Sequence, residues 1–283
     1  MKNLRITHET IYSYHGQVRF GPHRIMVRPR EGHDLHIFSS RLELEPEGTV
    51  RWLRDTYGNS IAIFEPTAES KRLRVLSDVV VTNYDDTPFN FVIAPEAQSY
   101  PFQYSLDEHQ ELIPYRLPSF VIDSQQIRTW LGRFHKPGAL VPTFDILEAL
   151  NRGIHGAFRY SRREEPGVQS PSRTLALGTG SCRDFATLYM EAARAWGFAA
   201  RFVTGYIQLA GEQHGATHAW AEVYIPGAGW RGYDPTNNKM AGSEHVSVAV
   251  ACDPWKASPV SGTWKGPADA FRSLTVDVMV RTV

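Results

Sequence analysis

The sequence has little cysteine and no excess of charge of either sign. Its 283 residues include only two cysteines, Cys182 and Cys252. Two cysteines exclude a disulfide framework, and this pair does not have the CxxC spacing of a zinc site. Lysine plus arginine and aspartate plus glutamate both number 30, and the basic residues form no block. The balanced charges create no overall electrostatic field that would attract nucleic acid or an acidic membrane, so we expect neither as a partner.

Long hydrophobic runs are also missing. No segment approaches the length of a membrane span, and residues 1–8 alternate in polarity without the apolar stretch of a signal peptide. Hydrophobic residues nevertheless make up 42% of the chain, which is enough for substantial cores. We therefore expect a soluble, cytoplasmic protein with two modest domains or one large one.

Residues 1–118 predict a β-rich domain. Short segments of alternating polarity, separated by glycine and proline turns, cover residues 4–14, 23–28, 35–44, 49–64 and 73–84. This succession of short strands is typical of a β-sandwich. Residues 100–118 are rich in proline, tyrosine and glutamine, so we expect a loop there and place the domain boundary at residue 118.

Residues 119–283 predict a domain in which helices precede strands. Helices are expected from Asp123, from Pro142 and from Asp184 onward, and strands over residues 200–209, 217–225 and 230–236. An exposed loop over residues 162–172 leads directly to Cys182, and we expect it to shape or gate a cleft.

Cys182 follows a glycine-rich turn and precedes a segment with helical periodicity. Apolar residues recur at three-and-four spacing from Phe185 to Trp196, and Gly197 supplies a stop. The first turn of a helix has unpaired N–H groups and the positive end of the dipole, which favour a thiolate and later an oxyanion. A lone cysteine is more often structural, so the partners decide between the two interpretations.

Those partners are His218 and Asp234. His218 begins one predicted strand and Asp234 ends the next, so antiparallel pairing can bring the imidazole beside the carboxylate. A helix packed on the same sheet can point Cys182 at them. Nucleophilic catalysis by cysteine needs the thiol beside an imidazole, and the same imidazole beside a carboxylate.

Three ordered segments carry a family resemblance: Gly180-Ser-Cys-Arg-Asp-Phe-Ala186, Thr217-His-Ala-Trp-Ala-Glu-Val-Tyr224 and Gly229-Trp-Arg-Gly-Tyr-Asp-Pro-Thr-Asn237. Together they resemble the bacterial transglutaminase-like cysteine peptidases. The resemblance implies an α+β protein, with an N-terminal β-sandwich (1–118) followed by a transglutaminase-like, papain-like catalytic core (119–283). It also implies that Cys182 is the nucleophile, His218 the general base and acid, and Asp234 the group that orients the imidazole.

We therefore expect a cysteine-dependent amide hydrolase, a peptidase or amidase that works through a thioester and acts on a peptide or protein amide without a cofactor. Two alternatives stay open: a transglutaminase that transfers the acyl group to an amine, and a non-catalytic peptide- or protein-binding module. Hydrolysis is favoured because it needs no second binding site for an organic substrate, and no pattern in the sequence indicates such a site. The sequence predicts no oligomeric state.

Some further residues have less specific interpretations. His214 precedes His218 by four residues, but both lie in a turn-to-strand segment with no third ligand, so we expect no metal site. Glu222 is either a hydrogen-bond partner near the site or a surface carboxylate. Members of the family often carry Gly-Arg-Asp where this chain has Ala251-Cys252-Asp253, and we expect Cys252 to be a bystander.

The neighbours of the three motif residues are expected to be structural. We expect Trp220 and Trp230 to pack around the site, and Arg183 and Asp184 to pair with neighbouring loops. None of these four residues is expected to be catalytic.

Overall fold

The computed structural model describes residues 1–84, 88–208 and 214–283. The protein is α+β, with an eight-stranded sheet and a five-stranded antiparallel sheet. Its strands are β1 (Lys2–Ile25), β2 (Leu35–Glu45), β3 (Gly48–Arg54), β4 (Ser60–Pro66), β5 (Ser70–Asn83), β6 (Ser99–Tyr100), β7 (Val141–Pro142), β8 (Arg159–Tyr160), β9 (Thr179–Gly180), β10 (Ala199–Ile207), β11 (His214–Gly215), β12 (His218–Ile225), β13 (Gly229–Asp234), β14 (Lys239–Met240), β15 (His245–Ala251), β16 (Val260–Lys265) and β17 (Phe271–Thr282). Its α-helices are α1 (Leu106–Arg116), α2 (Ser124–Leu131), α3 (Thr143–Ala157), α4 (Pro171–Leu177) and α5 (Cys182–Ala195). Within these described ranges, no helix is both long and apolar enough to cross a membrane.

Strand β1 is the spine of the larger sheet. Its first half pairs with β5 and β17, and its second half pairs with β4 and β16. The register shifts after Ser13 on both sides, which is where a bulge bends a strand. Apolar side chains of β1 and of the strands that pair with its two halves form one core. This core includes Phe20, Phe64, Val75 and Val260. The N-terminal region is therefore β-rich, as predicted.

The larger sheet takes strands from both ends of the chain. β17 lies beside β1 from Leu4↔Thr282 to Tyr14↔Phe271, and β11 extends the sheet beyond β17. This sheet is thus not confined to residues 1–118. No local pattern indicates the pairing, because the partners come from opposite ends of the chain.

Residues 106–116 form helix α1 where the sequence predicts a loop. Ser105 and Glu108 form a capping box, in which each side chain bonds the other's backbone N–H at 3.3 Å. Arg116 Nε then donates to the carbonyl of Gly197, just beyond α5 (3.1 Å). The helix therefore packs mainly with the second sheet and with α5.

The smaller sheet has the order β14-β13-β12-β10-β15 and carries α5 against β10 and β12. The helix begins at Cys182, two residues before the predicted start at Asp184, so Cys182 lies in its first turn as expected, and Gly197 follows its end with φ +93°. Phe185, Leu188 and Tyr189 are buried on its inner face. This packing fixes the first turn of α5 relative to the strands.

The outer edge of β15 is closed by the N-terminal half of the chain. Asn83 Nδ2 donates to the His245 carbonyl (3.0 Å), the Arg30 N–H to the Ser247 carbonyl (2.8 Å) and Asn59 Nδ2 to the Val250 carbonyl (2.8 Å). Asn59 Oδ1 also accepts from the Val250 N–H (2.9 Å). These bonds satisfy edge groups that a free strand leaves open, and they tie the two sheets together.

Candidate active site

The turn before Cys182 is held by a buried carboxylate. Asp184 is 0% exposed, and its Oδ2 accepts from both the N–H and the hydroxyl of Ser181 (2.8 Å each). Ser181 is therefore fixed as the N-cap of α5, and Cys182 is its first helical residue. The first N–H groups of a helix have no acceptor within it, so the backbone around Cys182 has donors available for an anion.

The same carboxylate anchors the preceding loop. Arg163 Nη1 donates to Asp184 Oδ1 (3.0 Å), and the backbone N–H of Gln169 donates to the same oxygen (2.7 Å). Arg183 Nη2 donates to the carbonyls of residues 163 and 165. The predicted pairing of Arg183 and Asp184 with neighbouring loops is confirmed. The loop over residues 162–172 is only partly exposed, because Gln169 is buried and α4 begins at its end.

His218 and Asp234 meet as the strand pairing predicts. β12 and β13 are antiparallel neighbours, and His218 Nε2 lies 2.8 Å from Asp234 Oδ2. The two residues are 8% and 0% exposed. The Cys182 thiol lies close enough to the same imidazole to raise its pKa, and Nδ1 is the ring nitrogen that remains available to it. The structure thus brings the three predicted residues together.

Asp234 is surrounded by N–H donors. Its Oδ1 accepts from the backbone N–H groups of Thr236 (3.0 Å) and Asn237 (3.2 Å), and its Oδ2 accepts from Asn237 Nδ2 (2.7 Å). Burial alone raises the pKa of this carboxyl, but the hydrogen bonds from His218 and from His245 outweigh it and hold the pKa well below its usual range. Asp234 is therefore a carboxylate at neutral pH.

The pKa of His218 results from opposed effects. Burial lowers it, but the hydrogen bonds and charges of Asp234 and Cys182 outweigh burial and raise it from 6.5 to about 10. The imidazole is therefore held as an imidazolium between these two groups. Such a cation beside the sulfur is what a thiolate nucleophile requires.

Tyr160 flanks the thiol and was not singled out in the sequence. The short parallel pair β8–β9 sets Tyr160 opposite Gly180, two residues before the cysteine. Burial raises the pKa of the Tyr160 phenol, and the nearby charge of Cys182 raises it further. About half of its surface remains exposed (53%), so Tyr160 is a solvent-accessible ring near the cysteine.

His245 is the second residue that the sequence analysis missed. It begins β15, is 6% exposed, and its Nε2 lies 3.1 Å from Asp234 Oδ2. A histidine at the head of an apolar strand was the available signal, but nothing local linked it to Asp234. Trp220 packs edge-on against its ring at a centroid distance of 5.1 Å and so supports the site, as predicted.

Other predicted residues lie away from this cluster. Glu222 forms an ion pair with Arg201 (2.6 Å), whose guanidinium lies 4.0 Å from the centre of the Trp230 ring. His214 pairs instead with Asp277 on β17 (2.8 Å), at the edge of the larger sheet.

Cys252 lies in a different environment from Cys182. Burial raises the pKa of the Cys252 thiol, and a hydrogen bond from Tyr57 only partly offsets this effect. Its backbone carbonyl accepts from Arg194 Nη2 (2.8 Å) and from the Ser119 hydroxyl (3.0 Å). Among the described residues, the partners of Cys252 therefore do not include a hydrogen-bonded imidazole–carboxylate pair like the one beside Cys182.

One group of ligand-type side chains lies within the described ranges. Single ligand atoms of His218, Asp234 and His245 lie within 4.8 Å of one another. Their contacts are those of hydrogen bonds to one carboxylate, which Asn237 also approaches. Because the imidazole N–H groups donate in these contacts, the cluster is a hydrogen-bonded imidazole–carboxylate network rather than a set of free metal ligands.

Two family models match the chain. Residues 138–235 match the core of the transglutaminase-like superfamily, and residues 4–82 match the bacterial transglutaminase-like N-terminal region. The first match contains Cys182, His218 and Asp234. The N-terminal match lies in the β-rich region, and the core match lies in the helix-containing region that follows it.

Two curated relatives and one solved structure are similar along nearly the whole chain. An uncharacterised protein of Mycobacterium tuberculosis is 27% identical over 297 residues, covering 97% of this chain and 92% of the relative. One of Mycobacterium leprae is 23% identical over 292 residues, covering 98% and 99%. A candidate cysteine protease from Cytophaga hutchinsonii superposes with a TM-score of 0.73 at 19% identity, covering 100% of this chain and 91% of that one. At this identity the superposition shows a shared fold.

Proposed function

Because this chain belongs to the transglutaminase-like superfamily, we propose that it is a cysteine-dependent amide hydrolase. Cys182 is the nucleophile, His218 the general base and acid, and Asp234 the group that orients the imidazole. The observation that carries the proposal is the buried His218 imidazole, which bonds Asp234 through Nε2 at 2.8 Å and lies close enough to Cys182 for the thiol to raise its pKa. A nucleophile, a base and an orienting group in this order define the reaction class.

The first half of the reaction forms a thioester. The Cys182 thiolate attacks the carbonyl carbon of a peptide or side-chain amide, so a C–S bond forms and the carbonyl oxygen becomes an oxyanion. Backbone N–H groups in the first turn of α5 are placed to donate to this oxygen. The His218 imidazolium gives its proton to the amide nitrogen, the C–N bond breaks, and the amine leaves.

The second half regenerates the enzyme. Neutral His218 takes a proton from water, and the resulting hydroxide attacks the thioester carbon. The C–S bond breaks, the product leaves as a carboxylic acid, and the thiolate and imidazolium pair is restored. Asp234 keeps its negative charge throughout and stabilises the imidazolium in each half.

An amine can replace water as the acceptor, which gives a transglutaminase with the same three residues. The two outcomes differ in the mass of the product, so one experiment separates them. The protein is incubated with a panel of peptide and side-chain amides, with and without a labelled primary amine, and the products are analysed by mass spectrometry. We expect the free acid in both cases. Incorporation of the labelled amine in place of acid formation would assign the transfer reaction instead.

A binding module without turnover is the remaining alternative. The matched control is Cys182→Ala, which removes the sulfur and leaves the rest of the imidazole network in place. We expect it to abolish turnover without changing the melting temperature greatly. Equal binding of peptides by both proteins, with no product and no thioester on the wild-type protein, would favour the binding module.

A further inference from the structure

A second histidine contacts the candidate catalytic carboxylate. His245 Nε2 lies 3.1 Å from Asp234 Oδ2, the same oxygen that His218 approaches at 2.8 Å. All three side chains are buried. His245 is therefore in contact with the orienting group of the site.

The hydrogen bonds around His245 assign its tautomer. The backbone N–H of Gly242 donates to His245 Nδ1 (3.4 Å), so Nδ1 accepts and the ring proton lies on Nε2, facing Asp234. Burial lowers the pKa of His245, against the opposing effect of Asp234. The ring is therefore a neutral donor that neither adds a second cation nor competes with His218 for the role of base.

The backbone of His245 is fixed by two parts of the chain. Its N–H donates to the Gly242 carbonyl (2.8 Å), and its carbonyl accepts from Asn83 Nδ2 at the end of β5 (3.0 Å). Trp220 packs against the ring from β12, two strands away in the smaller sheet. Through Asn83, the larger sheet thus holds a side chain that reaches the site.

We infer that His245 is a positioning residue: its Nε2–H holds the Asp234 carboxylate in the orientation in which Asp234 accepts the hydrogen bond from His218 Nε2–H. Without this donor, Oδ2 loses one of its three side-chain donors and the carboxylate can turn away from the imidazole. The inference rests on the proposed function, since positioning has a kinetic effect only if His218 and Cys182 act in the reaction. It also gives the N-terminal sheet a part in the site.

Three substitutions test the inference: His245→Gln, His245→Asn and His245→Leu. A glutamine side chain would place an amide N–H near the position of Nε2, whereas asparagine is too short to reach it and leucine has no donor. His23→Leu is the control for loss of a buried histidine, because His23 is 5% exposed and its Nδ1 bonds Gly21 in the larger sheet. If His245→Leu does not fold, the comparison of His245→Asn with His245→Gln still tests the inference.

Two functional readouts apply to these variants. The first is the rate at which iodoacetamide alkylates Cys182, with Cys252 of the same molecule as the reference, and the second is kcat and KM on a responsive amide. We expect His245→Asn and His245→Leu to lower both the alkylation rate and kcat by about 10- to 100-fold. KM should stay unchanged, because a residue that positions Asp234 affects the chemical step rather than substrate binding. His245→Gln and His23→Leu should stay close to wild type.

A third readout does not depend on catalysis. The His218 Nε2–H resonance, shifted far downfield by its bond to Asp234, should disappear in His245→Asn and persist in His245→Gln. A folded asparagine variant with wild-type alkylation, kcat and resonance would overturn the inference. If the wild-type protein shows neither turnover nor preferential alkylation of Cys182, the proposed function fails instead. In that case the resonance alone decides whether His245 positions Asp234.

Discussion

His8 should make the protein acid-sensitive at the contact between its two sheets. His8 lies on β1, is 1% exposed, and its Nδ1 lies 2.9 Å from the Tyr206 hydroxyl on β10. Tyr206 donates its own proton to the Val27 carbonyl (3.3 Å), so its oxygen accepts from His8. The other ring nitrogen lies 2.9 Å from the Thr10 hydroxyl. This network suits the neutral imidazole.

Burial lowers the pKa of His8 from 6.5 to about 4, against a smaller opposing effect of Asp277. Below pH 6.5 the unfolded chain therefore takes up a proton that the folded protein does not. The contribution of His8 to stability is fully present above pH 6.5 and is lost as the pH falls toward 4. The full loss is about 3 kcal/mol, and about 2 kcal/mol of it is expected between pH 7.5 and pH 5.

Urea denaturation at pH 7.5 and pH 5.0 measures this loss. In wild type, the free energy of unfolding should fall by about 2 kcal/mol more between these pH values than in His8→Gln. His15→Gln is the control, because His15 lies on the same strand with an exposed side chain. Other titrating groups cancel in the comparison of variants. If wild type and His8→Gln lose the same free energy over this range, the assignment of a neutral buried His8 is wrong.

The other predictions concern the site and the contact between the sheets. Asp234→Asn should leave the protein folded and lower turnover by on the order of ten- to ten-thousand-fold, non-additively with Cys182→Ala; wild-type turnover would remove Asp234 from the mechanism. Turnover should survive EDTA and be abolished by a thiol alkylator, whereas loss in EDTA that zinc restores would reveal a metal-dependent site. Asn59→Ala should lower the free energy of unfolding by about 2 to 4 kcal/mol, because both backbone groups of Val250 lose their partner. Asn90→Ala, at an exposed position, should lower it far less, and equal losses would contradict this role of Asn59.

Local spacing was sufficient to predict the elements that carry Cys182, His218 and Asp234. The apolar periodicity after Cys182 fixes where α5 begins, and Gly197 fixes where it stops. The hairpin of β12 and β13 has a short turn, so the separation of His218 and Asp234 in the sequence translates directly into proximity. For these elements, nearby residues determine the local structure.

The features that the sequence could not predict depend on pairing between strands that lie far apart in the chain. His245 reaches Asp234 only because β15 pairs with β10, and no residue near His245 encodes that register. The addition of β17 to β1 likewise joins segments from opposite ends of the chain. Helix α1 is a different case, since the capping box at Ser105 and Glu108 was visible but the prolines of its surroundings favoured a loop.

Alkylation of the two cysteines tests the central claim most directly. Cys182 lies beside the His218 imidazole, whereas burial raises the pKa of the Cys252 thiol and makes it the less reactive reference. Brief labelling with iodoacetamide at pH 7, followed by mass spectrometry of the peptides, gives both rates in one sample. We expect Cys182 to react at least about tenfold faster than Cys252, and we expect His218→Ala to remove this difference. Faster labelling of Cys252, or a preference for Cys182 that persists in His218→Ala, would contradict the proposed thiol–imidazole pair.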